Sequence, residues 1–229
     1  MPSKKIVFFD YGNVLAPVLG SSYLTNVSSA SGLPKDVLSP IVFGEKRREL
    51  NKLESSARYW KDYSTRVSRE IGSLRGKSFS EKQYYDAMKT GCGELNPHML
   101  ALARELKSKG VSVVVLSNIT KPHAEFELFE KHSGTLPRYF DRVLASPWMG
   151  KRKPEARMFK HALRLSGGAR PGEAALIDDK ERNLRGMRRI GGHGFLYKIP
   201  ETSDEEERER LLEKMDSALR RKLKRAGFL

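Results

Sequence analysis

Five short apolar runs, at residues 6–9, 111–116, 142–145, 174–177 and 194–197, constrain the fold more than any other feature of the chain. They are too short for ordinary helices and too continuously apolar for strands that face water on one side. They therefore read as parallel strands buried on both faces. From residue 97 onward, helical patterns alternate with them. Asn96 and Pro97 supply an N-cap and a first-turn proline, Met99, Leu102 and Leu106 recur at helical spacing, and Gly110 suits the position just past the helix end. Further helices are predicted at 121–131, 154–166 (Pro154 start, Gly167 stop), 180–190 (Gly191 stop) and 203–225. This alternation predicts an α/β fold with a doubly wound, Rossmann-like parallel sheet.

Residues 16–95 interrupt the rhythm. They are rich in charged helix formers, poor in strand signals and punctuated by Gly32-Leu33-Pro34, Gly72 and Gly76. The expected division is an α/β core of residues 1–15 and 96–229 with an inserted helical domain at 16–95. The final helix candidate opens at Ser203 ahead of an acidic first turn and closes on a basic last turn, as the helix dipole favours. Leu211, Met215 and Leu219 form its expected docking face.

The 229-residue chain is 38% hydrophobic, enough for a core and a smaller insertion. Its apolar runs fall far short of the roughly 20 residues that span a bilayer. Asp10 ends the run after Lys4-Lys5 too early for a signal peptide. A cytoplasmic location with no membrane partner is expected. The single cysteine, Cys92, excludes an internal disulfide, and the five histidines lack metal-ligand spacing. The net charge is +15, and it concentrates late: residues 150–198 hold 13 Lys and Arg against 5 Asp and Glu, residues 16–95 hold 13 against 9. Such a field favours anionic partners: a phosphorylated metabolite, nucleic acid or a membrane surface.

In an open parallel sheet, ligands gather beyond the carboxyl ends of the strands. Asp10 follows the first run, Ser117 and Asn118 the second, Lys153 lies in the loop MGKRKPE, and Asp178-Asp179 follow AALI. Singly, these are ordinary helix caps and a surface lysine. Jointly, they provide a carboxylate nucleophile, a hydroxyl and amides for phosphate oxygens, a cation for developing charge, and a carboxylate for Mg²⁺.

With FFDYGNVL, VVVLSN, KPE and LIDDKERN in this order, the chain resembles the haloacid dehalogenase-like (HAD) hydrolase superfamily over residues 4–15 and 96–198. Within it, the motifs are most similar to helical-cap phosphatases that include α-D-glucose-1-phosphate phosphatases. The resemblance implies a Mg²⁺-dependent phosphatase of a small phosphorylated metabolite, with residues 16–95 as its cap. Asp10 would form an aspartyl-phosphate, Ser117 and the Asn118 amide would hold the phosphoryl group, and Lys153 would neutralise it and orient Asp10. Mg²⁺ would bind Asp10, the backbone oxygen of Gly12 and Asp179, with Asp178 in the outer shell. Most phosphatases of the superfamily carry an acid two residues after the nucleophile, where this chain has Gly12. General acid–base help is typically worth about 10²–10⁴-fold. A leaving group that needs little protonation, such as a sugar 1-phosphate or an acyl phosphate, is the expectation.

The alternative is a weakly active or inactive scaffold that binds nucleic acid or an acidic partner through its basic surface. The absence of aromatic residues interleaved with Lys and Arg argues against it. In the insertion, FGEKRREL (43–50), Tyr59, Trp60 and Tyr63 are candidates to face the substrate, and packing is the competing reading for the aromatic residues.

Overall fold

In the computed structural model, which describes residues 5–18, 20–43, 57–88, 91–119 and 121–229, five strands form one parallel sheet. They are β1 (Ile6–Phe9), β2 (Ser112–Ser117), β3 (Arg142–Ala145), β4 (Ala174–Asp178) and β5 (His193–Leu196), in the order β3-β2-β1-β4-β5. The chain builds outward from β1 through β2 to β3, then crosses back to β4 on the other side. The strand order thus reverses beside β1, which places a crevice beyond its carboxyl end. Phe9 of β1 pairs with Val115 of β2 and Ile177 of β4, so three strands end at the same level.

Side-chain alternation divides the buried strands between two cores. Ile6, Phe8, Val114, Leu116, Ala174 and Leu176 meet Met158, Phe159 and Leu163 of the helix Ala156–Leu165 and Leu184 and Met187 of Glu181–Arg189. Val7, Phe9, Val113, Val115, Ala175 and Ile177 meet Met99, Leu102 and Leu106 of Pro97–Ser108 and Leu212, Leu219 and Leu223 of Glu205–Arg225. Both faces of the sheet are covered, as the continuous apolar strands require.

The Asn96 cap forms as expected: its side chain accepts a hydrogen bond from the His98 amide at 3.0 Å. Three helix details differ from the sequence reading. Pro154 lies in the preceding loop, and Glu155, with extended backbone, caps the helix that begins at Ala156. Asp204, one residue after Ser203, caps the last helix by accepting from the Glu207 amide at 3.0 Å. The face that helix buries is Leu212, Leu219 and Leu223, with Leu211 and Met215 half-buried at its edge. Leu212, Met215, Leu219 and Leu223, spaced three, four and four, define an apolar face as well as the run of fours does. The segment 121–131 is helical but changes type, from α over Lys121–Ala124 to π over Glu125–Lys131.

Between β1 and the helix at Pro97, the helices Gly20–Ser31, Lys35–Phe43, Ala57–Arg75 and Glu81–Met88 enclose a third core that includes Tyr23, Val27, Leu38, Val67, Ile71 and Tyr84. Tyr63 belongs to this core. It is 5% exposed and donates its hydroxyl to the Val42 carbonyl at 2.6 Å, so it packs rather than facing a ligand. The side chains of Phe43, Tyr59 and Trp60, and residues 44–50 of the FGEKRREL stretch, lie outside the described residues.

The corrected docking face is testable by urea unfolding. Leu223→Ala is expected to cost about 2–5 kcal/mol, as for a fully buried leucine, and Leu211→Ala about 1 kcal/mol or less.

Candidate active site

Lys153 draws the strand ends together. Its side chain is fully buried, and its ammonium lies 3.0 Å from Asp10 Oδ1 and 2.6 Å from Asp178 Oδ2. Its backbone is gripped as firmly. The Lys153 amide donates to Asn118 Oδ1 at 2.9 Å, and Asn118 Nδ2 donates to the Lys153 carbonyl at 2.7 Å. One residue of the β3-side loop is thus tied to the ends of β1, β2 and β4. Gly186 makes room for that loop, since a Cβ there would lie 2.5 Å from the Pro154 carbonyl oxygen.

Asp178 is fully buried and saturated. Besides Lys153, its other oxygen accepts from the Lys180 amide at 2.9 Å and from Asn183 Nδ2 at 2.8 Å. Asp179 is held by Lys180 Nζ at 3.1 Å and Asn13 Nδ2 at 3.3 Å, in the half-buried zone at the rim. Asp10 is 5% exposed, and one of its oxygens also accepts from the Tyr11 amide at 2.7 Å. Ser117 ends β2 and is 2% exposed. Gly12 is half-buried, and a Cβ added to it would meet Val18 Cγ2 at 2.9 Å.

Two carboxylates share one ammonium here, and their titrations divide accordingly. Burial, augmented by the neighbouring Asp178 charge, pushes Asp10 up to about 7. Burial would raise Asp178 as well, but Lys153 and its three hydrogen bonds hold it below the usual carboxylate range. Burial opposes the Lys153 ammonium, yet the two aspartates outweigh it and keep its pKa above that of an ordinary lysine. One oxygen from each of Asp10, Asp178 and Asp179 lies within 4.8 Å of the others. Three convergent carboxylates with too little fixed positive charge suit a hard divalent cation with oxygen ligands.

The structure therefore brings Asp10, Gly12, Ser117, Asn118, Lys153, Asp178 and Asp179 to one end of the sheet. Sequence reasoning missed several supporting residues. Asn13 adopts a left-handed conformation (φ 59°), accepts from the Val18 amide at 2.8 Å and reaches Asp179. Its place after Gly12 was the available signal, because Asn tolerates that backbone region better than most residues. Asn183, at the fifth position after Asp178, and Gly186 were also unread. So was Glu127, a 1% exposed carboxylate on the π-helix that accepts from the Tyr11 hydroxyl at 2.9 Å. Burial pushes the Cys92 thiol up to about 12.

The chain belongs to the haloacid dehalogenase-like hydrolase family, whose profile matches residues 4–191. Sesquiterpene phosphatase astK of Aspergillus oryzae is 32% identical to it over 126 residues, 55% of this chain and 62% of that protein. Haloacid dehalogenase-like hydrolase domain-containing protein 3 of Bos taurus is 27% identical over 153 residues, 66% of this chain and 59% of that protein. The chain thus spans about three fifths of the length of these relatives. Among solved structures, a HAD-family enzyme of Bacteroides thetaiotaomicron in a magnesium complex superposes with a TM-score of 0.66 at 21% identity, covering 88% of this chain and 97% of that one.

The raised Asp10 carries a signature in the metal-free protein. Its folded-state pKa, about 7, exceeds the ordinary 3.8, so its favourable contribution is present at low pH and lost as pH rises through that window. Urea unfolding in chelator should therefore show Asp10→Asn gaining stability relative to wild type between pH 5 and pH 8. A constant or reversed difference would contradict the assignment.

Proposed function

We propose that the chain is a Mg²⁺-dependent phosphatase of a small phosphorylated metabolite that works through an aspartyl-phosphate on Asp10. The observation that carries this reading is the pairing of Asp10 with a fully buried Lys153 at 3.0 Å, beside two further carboxylates. Asp10, the Gly12 carbonyl and Asp179 would hold the ion. When bound, it supplies positive charge against the phosphoryl oxygens and favours the ionised form of Asp10. Asp178 suits an outer-shell place because its oxygens already serve Lys153, Lys180 and Asn183.

In this reading Lys153 aims one Asp10 oxygen and meets the charge that develops on the phosphoryl group. The Ser117 hydroxyl and Asn118 amide hold its remaining oxygens, while the Asn118 side chain stays on the Lys153 backbone. The Asp10 oxygen forms a bond to phosphorus as the bond to the leaving oxygen breaks. Water then attacks phosphorus, releasing inorganic phosphate and restoring Asp10. Residues 1–15 and 96–229 act as the core, and residues 16–95 as the cap over it.

Gly12 narrows the substrate class. With no side chain there to protonate the leaving oxygen, a sugar 1-phosphate or an acyl phosphate fits better than an ester of an ordinary primary alcohol. The motif resemblance to α-D-glucose-1-phosphate phosphatases supports the same substrate class.

A screen of phosphorylated metabolites with and without Mg²⁺ tests the reading. Asp10→Asn is expected to lose more than about 10²-fold of any activity found, since it removes the attacking group. Asp179→Ala should abolish Mg²⁺ stimulation with little loss of stability. Asp178→Ala should destabilise the fold by about 3–5 kcal/mol, because it strips a partner from a buried ammonium. Wild-type activity retained in Asp10→Asn would reject the mechanism.

Leaving-group dependence tests the role of Gly12. Log rate should fall steeply with leaving-group pKa in the wild type. Gly12→Asp combined with Val18→Ala, which relieves the 2.9 Å contact, should flatten the slope by helping poor leaving groups most. A flat wild-type plot, with chemistry rate-limiting in single turnovers, would overturn the inference.

A further inference from the structure

We propose that His123, Glu127 and Lys131 form an anchor that grips the connection returning from the helical insertion and thereby sets the pivot of the cap. The proposal rests on the cap reading above. The three residues recur every four positions along the segment that turns from α-helix to π-helix. All three reach the returning backbone, in order. His123 Nε2 donates to the Met88 carbonyl at 2.8 Å, at the end of the last helix of the insertion. Glu127 Oε1 accepts from the Cys92 amide at 3.2 Å, and Lys131 Nζ donates to the carbonyls of Cys92 at 3.0 Å and Gly93 at 3.2 Å. Both polar groups of the Cys92 backbone are therefore held by one helical stripe.

The gripped connection is one half of a two-stranded hinge. Val18 on the outgoing connection bridges Cys92 antiparallel, the Gly93 amide donates to the Pro17 carbonyl at 2.9 Å, and the Asn96 amide donates to the Leu15 carbonyl at 2.7 Å. Gly91 lies against the Tyr23 ring so closely that a Cβ would fall about 2 Å from it. The first helix of the insertion is thereby pressed onto the same point. Glu127 also reaches the nucleophile loop. Its second oxygen accepts from the hydroxyl of Tyr11, the residue after Asp10, at 2.9 Å, with Lys131 Nζ 3.9 Å away. Tyr11 and Glu127 are each 1% exposed, so each needs its partner. Glu127 is a positioning residue: it touches no reacting atom and links the pivot of the cap to the turn that carries the nucleophile. π-Helical segments are rare and recur at functional sites, and here the segment carries Glu127 and Lys131.

The test combines hydrogen exchange with kinetics in the full chain. In Glu127→Leu, amides of residues 91–96 should exchange roughly tenfold faster or more, the loss expected for a hydrogen bond to a charged group, while β1 amides keep their protection. Glu127→Gln should restore most of that protection, because its amide can accept from Cys92 and donate to a reoriented Tyr11 hydroxyl. Lys131→Met, at a side chain 24% exposed, should show the same loosening and serves if Glu127→Leu does not fold. With a substrate from the screen, Lys131→Met, which leaves the Tyr11–Glu127 bond in place, should raise KM while kcat stays within about twofold, as for lost ground-state positioning. Unchanged exchange at 91–96 in folded variants, or a collapse of kcat at constant KM, would overturn the anchor. A wild type that hydrolyses no phosphate ester would overturn the phosphatase reading, while the exchange result would still decide the anchor.

Discussion

A single buried ammonium organises the molecule. Burying Lys153 would be prohibitive without partners, and its two carboxylates arrive on separate strands, β1 and β4, with Asn118 of the β2 end holding its backbone. The sheet therefore has to keep β1, β2 and β4 level at their carboxyl ends, and the loop from β3 has to lie against Gly186. The two cores on either side of the sheet supply the hydrophobic stabilisation that maintains this alignment. The polar pin makes the alignment specific, since a slip of one residue would leave Lys153 or Asp178 buried and unpaired.

The same pin divides labour among the three aspartates. Asp178 is consumed by structure, with both oxygens satisfied and its charge held by Lys153. Asp10 is pushed toward its neutral form by burial, which its share of that lysine does not offset. Asp179 stands at the rim with partners that a metal ion can replace. In the proposed mechanism this unequal sharing makes nucleophile activation depend on a second cation.

The sheet was legible because strands buried on both faces leave continuous apolar runs, and the predicted strand limits lie within a residue or two of those observed. The candidate site residues after β1, β2 and β4 were visible in the sequence because those three runs end in polar groups, and their order, with Lys153 in the loop between, carries the resemblance to the family. What remained unread depends on residues far apart in the chain. Nothing local says that the Asn118 side chain is spent on the Lys153 backbone, 35 residues on, or that Glu127 reaches back 116 residues to Tyr11. Leu211 and Leu212 both fall at helical spacing from Leu219, so periodicity alone did not say which of them is buried. For Tyr63 the sequence left a ligand face and core packing both open, and the Val42 carbonyl that accepts its hydroxyl, 21 residues away, decides for packing.

The central claim, that Asp10 carries the phosphoryl group, is tested most directly by acid-quenching the enzyme with Mg²⁺ and a turning-over substrate and mapping the adduct by mass spectrometry. The account predicts a phosphoryl group on the peptide spanning residues 6–15, located at Asp10 and absent from Asp10→Asn. Phosphorylation of a different residue, or a phosphate burst from a single turnover with no adduct on that peptide, would contradict it.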